Sequence, residues 1–242
     1  MSEQLQSDFD KLVKTSKFSN EEIQFKKNFL NNFIKKGFPN RKQEDWKFLD
    51  ISQIIKKNIS NLSYFNDYSQ SNEIDPSIFV DGLEHNKIIF INGRIEKIDF
   101  NFEDQNKIEI IDETKKDISF DYENSLIDLN SAFTDKVFKI LIKKNYSLKK
   151  PLIIYHSIND EIKSTNINLR LDFELGENSC LKLIDYFANT TAKNFINIFY
   201  NFNLEKDSIL KNYKIDKFRN NNLKYSFNNI EQENNSVSET FI

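Results

Sequence analysis

The sequence has 242 residues and a formal net charge of -3, and its 34 basic and 37 acidic residues are interspersed, which excludes the basic stripe that neutralises nucleic-acid phosphates. A chain of this length can bury a sizeable core, either in one domain of mixed architecture or in two small ones. Because no apolar run approaches about eighteen residues and the single cysteine, Cys180, has no intramolecular disulfide partner, we expect a soluble cytoplasmic protein with neither a nucleic-acid nor a membrane partner.

A helix is predicted to begin near Ser19. Ser19 and Glu22 have the spacing of a capping box, in which a hydroxyl and a carboxylate each bind a free backbone N–H at the start of a helix. Apolar residues then recur on one helical face: Ile23, Leu30, Phe33 and Ile34. Gly37 and Pro39 predict the end of this helix.

Two shorter helices are predicted on either side of it. Residues 8–18 are expected to form the first, and an amphipathic helix that ends near Asn58 is expected after the Trp-containing segment NRKQEDWKFLD, residues 40–50. Its apolar positions are Ile51, Ile54 and Ile55. Residues 1–60 are therefore predicted to be a helical region. The polar connector at residues 60–76 is expected to lie on the surface or to be poorly ordered.

A β-hairpin is predicted within KIIFINGRIEKI, residues 87–98. Asn92 and Gly93 separate two apolar runs there, and Asn-Gly is a strong hairpin signal because both residues tolerate a positive φ. The connector and this hairpin belong to a second predicted region, residues 61–128.

Beyond residue 136 the sequence predicts strands. In INLRLDFEL, residues 167–175, apolar side chains alternate with polar ones. The polar ones are Asn168, Arg170, Asp172 and Glu174. This alternation predicts one buried face and one solvent-exposed face.

The turns between these strands repeat. The segments LGENSCL, LEKDSIL and QENNSVS carry a serine at spacings of 29 and 28 residues: Ser179, Ser208 and Ser236. A weaker earlier turn lies at Ser147. Two strands per constant period are typical of a stacked β-solenoid, whereas a β-sandwich, the alternative, needs no even spacing. We therefore predict a mainly β fold in which the N-terminal helical region precedes a β-solenoid, residues 129–242, with about 28–29 residues per coil.

The last predicted coil ends at Ile242 with no closing helix or proline cluster. The last coil of a solenoid exposes unpaired backbone and an open core unless something covers it. We expect either that a partner covers this coil or that the natural chain is longer, and we favour the longer chain.

No catalytic or metal-binding motif is recognised in the sequence. His85 and His156 have no second ligand at metal-ligand spacing, so we interpret His85 as an exposed loop residue and His156 as a hydrogen-bonded histidine at a strand end. Cys180 is interpreted as structural. The acidic residues before the solenoid are expected to form a solvated loop: Asp112, Glu113, Asp117, Asp121 and Glu123. We assign no catalytic, cofactor-binding or metal-binding residue.

The stretch GFPNRKQEDWKFLDI, residues 37–51, resembles the N-terminal signature of the SufB and SufD group of iron–sulfur assembly proteins. In that signature a Gly-hydrophobic-Pro turn leads into an Arg-Lys-x-Glu-x-Trp-Lys-aromatic run. The matching residues are Gly37, Pro39, Arg41, Lys42, Glu44, Trp46, Lys47 and Phe48. Considered without the resemblance, Trp46 is expected to pack on the core, with Arg41 and Glu44 in surface ion pairs.

Later segments resemble the same group in the same order, up to residue 242. They are the hairpin IIFINGRIEK with Asn92 and Gly93, the LNSAFTDKVFKILI segment at the start of the solenoid, and the coil segments LKKPLIIYH and LRLDFELGENSCLKLIDYF. The N-terminal helical extension favours the SufD branch. The resemblance implies a non-catalytic scaffold subunit that works with SufB-like and SufC-like partners.

The resemblance also implies that the complex assembles an iron–sulfur cluster while these residues bind no cofactor themselves. In the group, the SufC-docking region and the residues of cluster formation lie beyond the part matched here, so none is assigned to a numbered position. Two alternatives stay open. One is a β-solenoid interaction module unrelated to cluster assembly, and the other, less favoured, is a solenoid polysaccharide lyase, which needs carboxylates on successive coils.

Overall fold

The structure, a computed structural model, describes residues 2–59, 61–65, 74–113, 124–188, 193–217 and 222–242. In these residues the helices are α1 Ser2–Thr15, α2 Asn20–Lys36, α3 Ile51–Asn58 and α4 Ser125–Phe133. The strands are β1 Asn86–Ile91, β2 Arg94–Asp99, β3 Ile108–Glu113, β4 Val137–Ile142, β5 Leu152–Ser157, β6 Asn166–Leu175, β7 Cys180–Phe187, β8 Phe195–Leu204, β9 Ile209–Asp216, β10 Leu223–Gln232 and β11 Val237–Phe241. None of the described helices combines the length and the apolar character needed to cross a membrane.

The strands form two sheets that face each other. Sheet I has the order β11-β9-β7-β5-β1-β2, and sheet II has the order β10-β8-β6-β4-β3. Neighbouring strands are parallel except at one edge of each sheet, where β1–β2 and β3–β4 are antiparallel. Successive pairs from β4–β5 to β10–β11 therefore form the coils of a parallel β-solenoid, as the repeated turns predict.

The register of the strands confirms the predicted repeat in the later coils. In sheet II, Asn166 pairs with Phe195, and Phe195 pairs with Leu223, which are steps of 29 and 28 residues. The step from β4 to β6 is longer, because Val137 pairs with Arg170, 33 positions further on. The first coil thus holds additional residues in its connections, and the even period begins only after it.

A left-handed residue at the same position of each coil makes the turns possible. These residues have φ values of 57°, 56°, 58° and 61°: Asn145, Asn178, Asp207 and Asn235. Asn and Asp tolerate this conformation better than most residues. The predicted early turn near Ser147 is present, but Ser147 itself is in register with Cys180 rather than with Ser179.

Gly176 is required by the closeness of the neighbouring coil. A Cβ atom at Gly176 would lie 2.7 Å from the backbone nitrogen of Lys144 and 3.0 Å from the carbonyl oxygen of Ile142. Gly176→Ala is therefore expected to lower the free energy of unfolding by about 1–3 kcal/mol in urea denaturation. Glu205 occupies the same position one coil later, so Glu205→Ala is the matched control and should cost less. An equal loss in both variants would contradict the steric explanation.

The predicted capping box is present at the start of α2. The Ser19 hydroxyl accepts a hydrogen bond from the Glu22 backbone N–H at 3.3 Å, and the Glu22 carboxylate accepts one from the Ser19 N–H at 2.7 Å. Gly37, with φ of 70°, ends the helix and donates its N–H to the Phe33 carbonyl at 2.7 Å. Helix α3 ends at Asn58, also as predicted.

Helix α1 begins earlier than predicted. It spans Ser2–Thr15 rather than residues 8–18, and Leu5 and Phe9 are buried in the core between the helices. Helix α1 extends to Ser2 because Leu5 packs in this core, and the prediction for residues 8–18 did not include Leu5. Of the predicted connector, residues 61–65 hydrogen-bond to the solenoid through the Ser63 N–H and the Ser164 carbonyl at 2.7 Å, whereas residues 66–73 lie outside the described residues.

The N-terminal helices lie on the outer face of sheet II. Helix α4 contacts the sheet directly, because the Asn130 side-chain amide donates to the carbonyls of Leu169 at 3.1 Å and Asn197 at 2.8 Å. The Asn197 amide in turn donates to the Leu126 carbonyl at 2.8 Å. Helix α2 packs on α4 from outside. Helices α1, α2, α3 and α4 form one helical layer that shares a packed interface with the solenoid.

This packing corrects the predicted solvent-exposed face of β6. The side chains of the apolar phase are buried as predicted, but Arg170 and Asp172 of the polar phase are only 1% and 2% exposed. The Arg170 guanidinium lies 4.6 Å from the ring centroid of Phe199 and 3.5 Å from the Asp172 carboxylate. The alternation within β6 predicts a solvent-exposed face, because the sequence of β6 alone does not indicate that α4 packs against it.

Candidate functional site

The signature segment joins the helical region to the solenoid. Phe38 and Pro39 are buried after α2, residues Glu44–Trp46 form one 3₁₀ turn, and the Ile51 N–H returns to the Pro39 carbonyl at 3.2 Å. The Asp50 carboxylate then caps α3 by accepting a hydrogen bond from the Gln53 N–H at 2.9 Å. The segment is thus a closed loop held at both ends by helix caps.

Trp46 packs on the outer face of the solenoid. Its ring is half-buried, and its centroid lies 5.8 Å from that of Tyr225 on β10. The Tyr225 hydroxyl accepts a hydrogen bond from the Asn124 amide at 2.6 Å. Around Trp46, Lys47 pairs with Glu44 at 2.8 Å and both are exposed. This geometry agrees with the packing interpretation of the tryptophan.

Trp46→Ala is expected to lower the free energy of unfolding by about 1–2 kcal/mol, because it removes a half-buried aromatic side chain from the contact with Tyr225. Thermal or urea denaturation measures this loss. Phe48 provides the matched control, since its side chain is 85% exposed and Phe48→Ala should leave stability unchanged. Unchanged stability of the Trp46 variant together with lost partner binding would contradict the packing interpretation.

The tip of the β1–β2 hairpin, Asn92 and Gly93, packs on a different coil from the one that Trp46 contacts. Asn92 and Gly93 have φ values of 54° and 85°, as the Asn-Gly pair predicts. The Asn92 side chain accepts a hydrogen bond from the Asn159 N–H at 2.9 Å, and a Cβ atom at Gly93 would lie 3.0 Å from Ile167. The hairpin tip therefore packs on the start of β6, whereas Trp46 packs on β10. The signature residues do not meet in one site.

A buried polar cluster, which sequence reasoning missed, lies inside the solenoid. The first coils direct apolar side chains inward, but in sheet I the inward position of Ile154 is followed by Asp185 and Lys214 on the next two coils. Asp185 accepts a hydrogen bond from His156 Nε2 at 2.8 Å. The His156 ring stacks at 4.1 Å on Phe187. The strand-end prediction for His156 is thus confirmed, with Asp185 as its partner.

Two lysines of the later coils also belong to this cluster, Lys214 on β9 and Lys224 on β10. Lys214 Nζ donates to the Ser226 hydroxyl at 2.9 Å and to the Asn228 side-chain carbonyl at 3.1 Å. Lys224 forms an ion pair with Asp216. The sequence contains a signal for these residues. When the coils are aligned by their repeat, Asp185 of β7 and Lys214 of β9 fall at positions whose side chains point into the solenoid.

Burial and charge act together on the titration of the cluster. Burial alone would raise the pKa of Asp185, but the hydrogen bond from His156, the electrostatic interaction with His156 and the positive charges of Lys224 and Lys214 outweigh it and lower that pKa. Burial and the negative charge of Asp185 raise the pKa of the Tyr200 hydroxyl well above its usual range. At neutral pH the cluster therefore contains an ionised carboxylate beside a protonated phenol.

The cluster is enclosed rather than open to a substrate. Asp185 and Tyr200 are each 1% exposed, and His156 is 6% exposed. An acid–base pair needs contact with the reacting group, which this degree of burial prevents. The arrangement can hold charge inside the fold and fix the register of neighbouring coils.

The structure corrects the prediction for His85. It is 8% exposed rather than solvated, because residues 74–85 fold over the outer face of sheet I. His85 Nδ1 lies 2.6 Å from the Leu83 carbonyl, and Nε2 lies 2.9 Å from the Tyr155 hydroxyl. A neutral ring with its proton on Nδ1 satisfies both contacts. Only the folded chain brings Tyr155 to His85.

The other candidate residues lie apart from one another. Cys180 is a half-exposed free thiol at the start of β7. Asp112 on β3 pairs with Lys136, while Asp117, Asp121 and Glu123 lie outside the described residues. In the part of the chain that the structure describes, no three His, Cys, Asp or Glu side chains are grouped so that they could hold a metal ion.

The chain was also compared with known proteins. Neither protein-family models nor curated protein sequences give a match. A function for this protein must therefore be inferred from its own residues and their arrangement.

Proposed function

We propose that the chain is a non-catalytic, SufD-like scaffold subunit that works with SufB-like and SufC-like partners in iron–sulfur cluster assembly. The observation that carries the proposal is the order of the segments similar to the SufB and SufD group. The Trp signature, the Asn-Gly hairpin and the coil segments occur in that order, and in this chain they belong to a helical layer and a β-solenoid.

The packing of the chain supports a scaffold role. Parallel coils in a constant register form a stiff platform, because each coil is hydrogen-bonded to its neighbours along both sheets. Helix α4 attaches the helical layer to this platform through the Asn130 and Asn197 amides. A subunit built in this way presents fixed surfaces to its partners. In this proposal the cluster is the product of the complex and is not a cofactor of the chain.

A β-solenoid interaction module unrelated to cluster assembly is the second candidate. Its supporting observation is a set of exposed apolar side chains on the outer face of sheet I in the later coils. These side chains are 36–48% exposed and lie on both sides of the Lys211–Glu239 ion pair: Ile209, Ile215, Val237 and Phe241. Exposed apolar side chains beside charged ones occur at protein-binding surfaces. This candidate differs from the first one in the partner that is bound.

Co-purification separates the two candidates. The protein is tagged in its natural reading frame and expressed with the SufB-like and SufC-like proteins of the same organism. The scaffold proposal predicts that it captures both proteins. Capture of neither protein would contradict the proposal and favour the interaction module.

A further inference from the structure

A cavity of about 710 Å³ lies at the end of the solenoid where both sheets finish in an antiparallel edge strand. Its walls come from β2 of sheet I, β3 of sheet II, the segment after α4 and the end of α1 with the residues that follow it. This volume is within the range of small-molecule sites in proteins. The accessible side chains on these walls decide which ligand fits.

Three isoleucines of the two edge strands form one apolar wall of the cavity: Ile95, Ile98 and Ile110. Ile95 and Ile98 lie opposite core residues of β1, and Ile110 lies opposite a core residue of β4. Residues directly opposite each other in an antiparallel pair point to the same face of the sheet. The three isoleucines therefore continue the inward-facing side of the solenoid to its end.

These isoleucines are accessible because the sheets end there. Among the described strands, β2 and β3 are the outermost ones at this end of the two sheets. Ile98 is 46% exposed, and Ile95 and Ile110 are partly exposed, whereas the core residues opposite them are 0–1% exposed. The inward-facing side, which is buried further along the solenoid, here offers apolar surface to a ligand.

The helical layer supplies two aromatic side chains to the same cavity. Phe18, which follows α1, and Phe65, which follows the bridge to the solenoid, both line it and are both partly exposed. Apolar contacts need no directional partner, so walls of this kind suit a flexible hydrocarbon chain. The apolar part of the ligand is therefore expected to be a chain rather than a hydrogen-bonding ring.

The charged side chains that line the cavity have an excess of one positive charge. Arg94 lies 3.4 Å from Asp135, and Lys136 pairs with Asp112. The third cation, Lys17, is exposed and has no ion-pair partner in the described part of the chain. A ligand with a single negative charge would balance this excess, and Lys17 would be its counter-charge.

We infer that this cavity binds a fatty acid, that is, an amphiphile with one hydrocarbon chain and one carboxylate head group. The chain lies on the isoleucines of the edge strands, with the two aromatic side chains of the helical layer on its other side. The carboxylate faces Lys17. The inference is independent of the proposed scaffold function, because it rests on the cavity and not on the Suf-like segments.

The test uses dodecanoate as the probe, titrated into the 242-residue chain below its critical micelle concentration and followed by backbone amide shifts in NMR spectra. Saturable shifts are expected around residues 95–98 and 110–112. Dodecylammonium has the same chain with a positive head group and should bind more weakly, and hexanoate should bind more weakly because its chain buries less apolar surface. No saturable shift with dodecanoate, or saturable shifts centred away from these residues, would overturn the inference.

A variant of the most exposed isoleucine tests the position of the chain. Ile98→Ser is expected to weaken dodecanoate binding by roughly 5- to 20-fold, because it removes apolar contact from the hydrocarbon chain. Ile209→Ser is the matched control, since Ile209 is 36% exposed on β9 and lies outside the cavity, and it should leave the affinity unchanged. An equal loss in both variants would mean that dodecanoate binds exposed apolar side chains in general, which would overturn the inference.

A second variant tests the position of the carboxylate. Lys17→Gln is expected to weaken dodecanoate binding about two- to fivefold without weakening dodecylammonium binding. Lys14→Gln changes an exposed lysine of α1 outside the cavity and should have no effect on either ligand. Equal dodecanoate affinity in Lys17→Gln and the wild type would refute the role of Lys17. If a variant does not fold, the comparison of the three ligands with the wild type decides the question by itself.

Discussion

Asp185→Ala is expected to lower the free energy of unfolding by about 3–5 kcal/mol, because it removes one partner from a buried set of charges. The carboxylate is fully enclosed and accepts the hydrogen bond of His156 at 2.8 Å. Without it, the positive charge of Lys214 loses the nearby carboxylate that offsets its burial. Urea denaturation near pH 7 measures the loss. Asp185→Asn should cost less, since an amide keeps the volume and can still accept from His156.

The pH dependence gives a second test of the same residue. The folded-state pKa of Asp185 is lowered, so the stability that its ionisation contributes is fully present above the unfolded-state pKa of about 3.9. It is lost as the pH falls through the still lower folded-state pKa. The stabilities of the wild type and Asp185→Ala should therefore converge in acid. Glu239, in an exposed pair with Lys211, is the control, and a Glu239→Ala loss as large as that of Asp185→Ala would contradict the argument from burial.

Lys26 is expected to make the protein more stable as the pH rises above 8. Burial lowers the pKa of Lys26 to about 8, although the nearby carboxylates of Asp135 and Glu22 act against this shift. The ammonium group donates to the carbonyls of Ser131 and Thr134 at the end of α4. Since the unfolded-state pKa is about 10.4, the unfolded chain binds more protons than the folded one between these values, and stability rises with pH by about 3 kcal/mol in total.

Comparison with Lys26→Met isolates this contribution. The difference in unfolding free energy between the wild type and Lys26→Met should increase by about 3 kcal/mol from about pH 7 to about pH 10.5, because all other groups titrate in both proteins. Lys27→Met changes an exposed neighbour and should show no such trend. A constant difference across this range would mean that Lys26 is not buried as a charged group.

Short-range signals in the sequence determined the elements of the fold. The Ser19 capping box, the Asn92-Gly93 turn and the alternation in β6 each act through residues within a few positions of one another. The repeated turns at Ser179 and Ser208 predicted the solenoid as well, because coils of equal length stack on one another through similar turns. The packing role of Trp46 was also expected from its sequence, although its contact, Tyr225, was not.

Only the tertiary structure decided which faces are covered and which polar residues meet. Arg170 and Asp172 are buried on the outer face of β6, the strand against which α4, from a separate part of the chain, packs. His156 and Asp185 are 29 residues apart, and one cavity is lined by residues of α1, the hairpin and the segment after α4. Contacts over such separations depend on how coils and helices stack, and local propensity carries no information about them. For this reason the sequence alone predicted the solenoid, whereas its polar interior and its cavity required the folded chain.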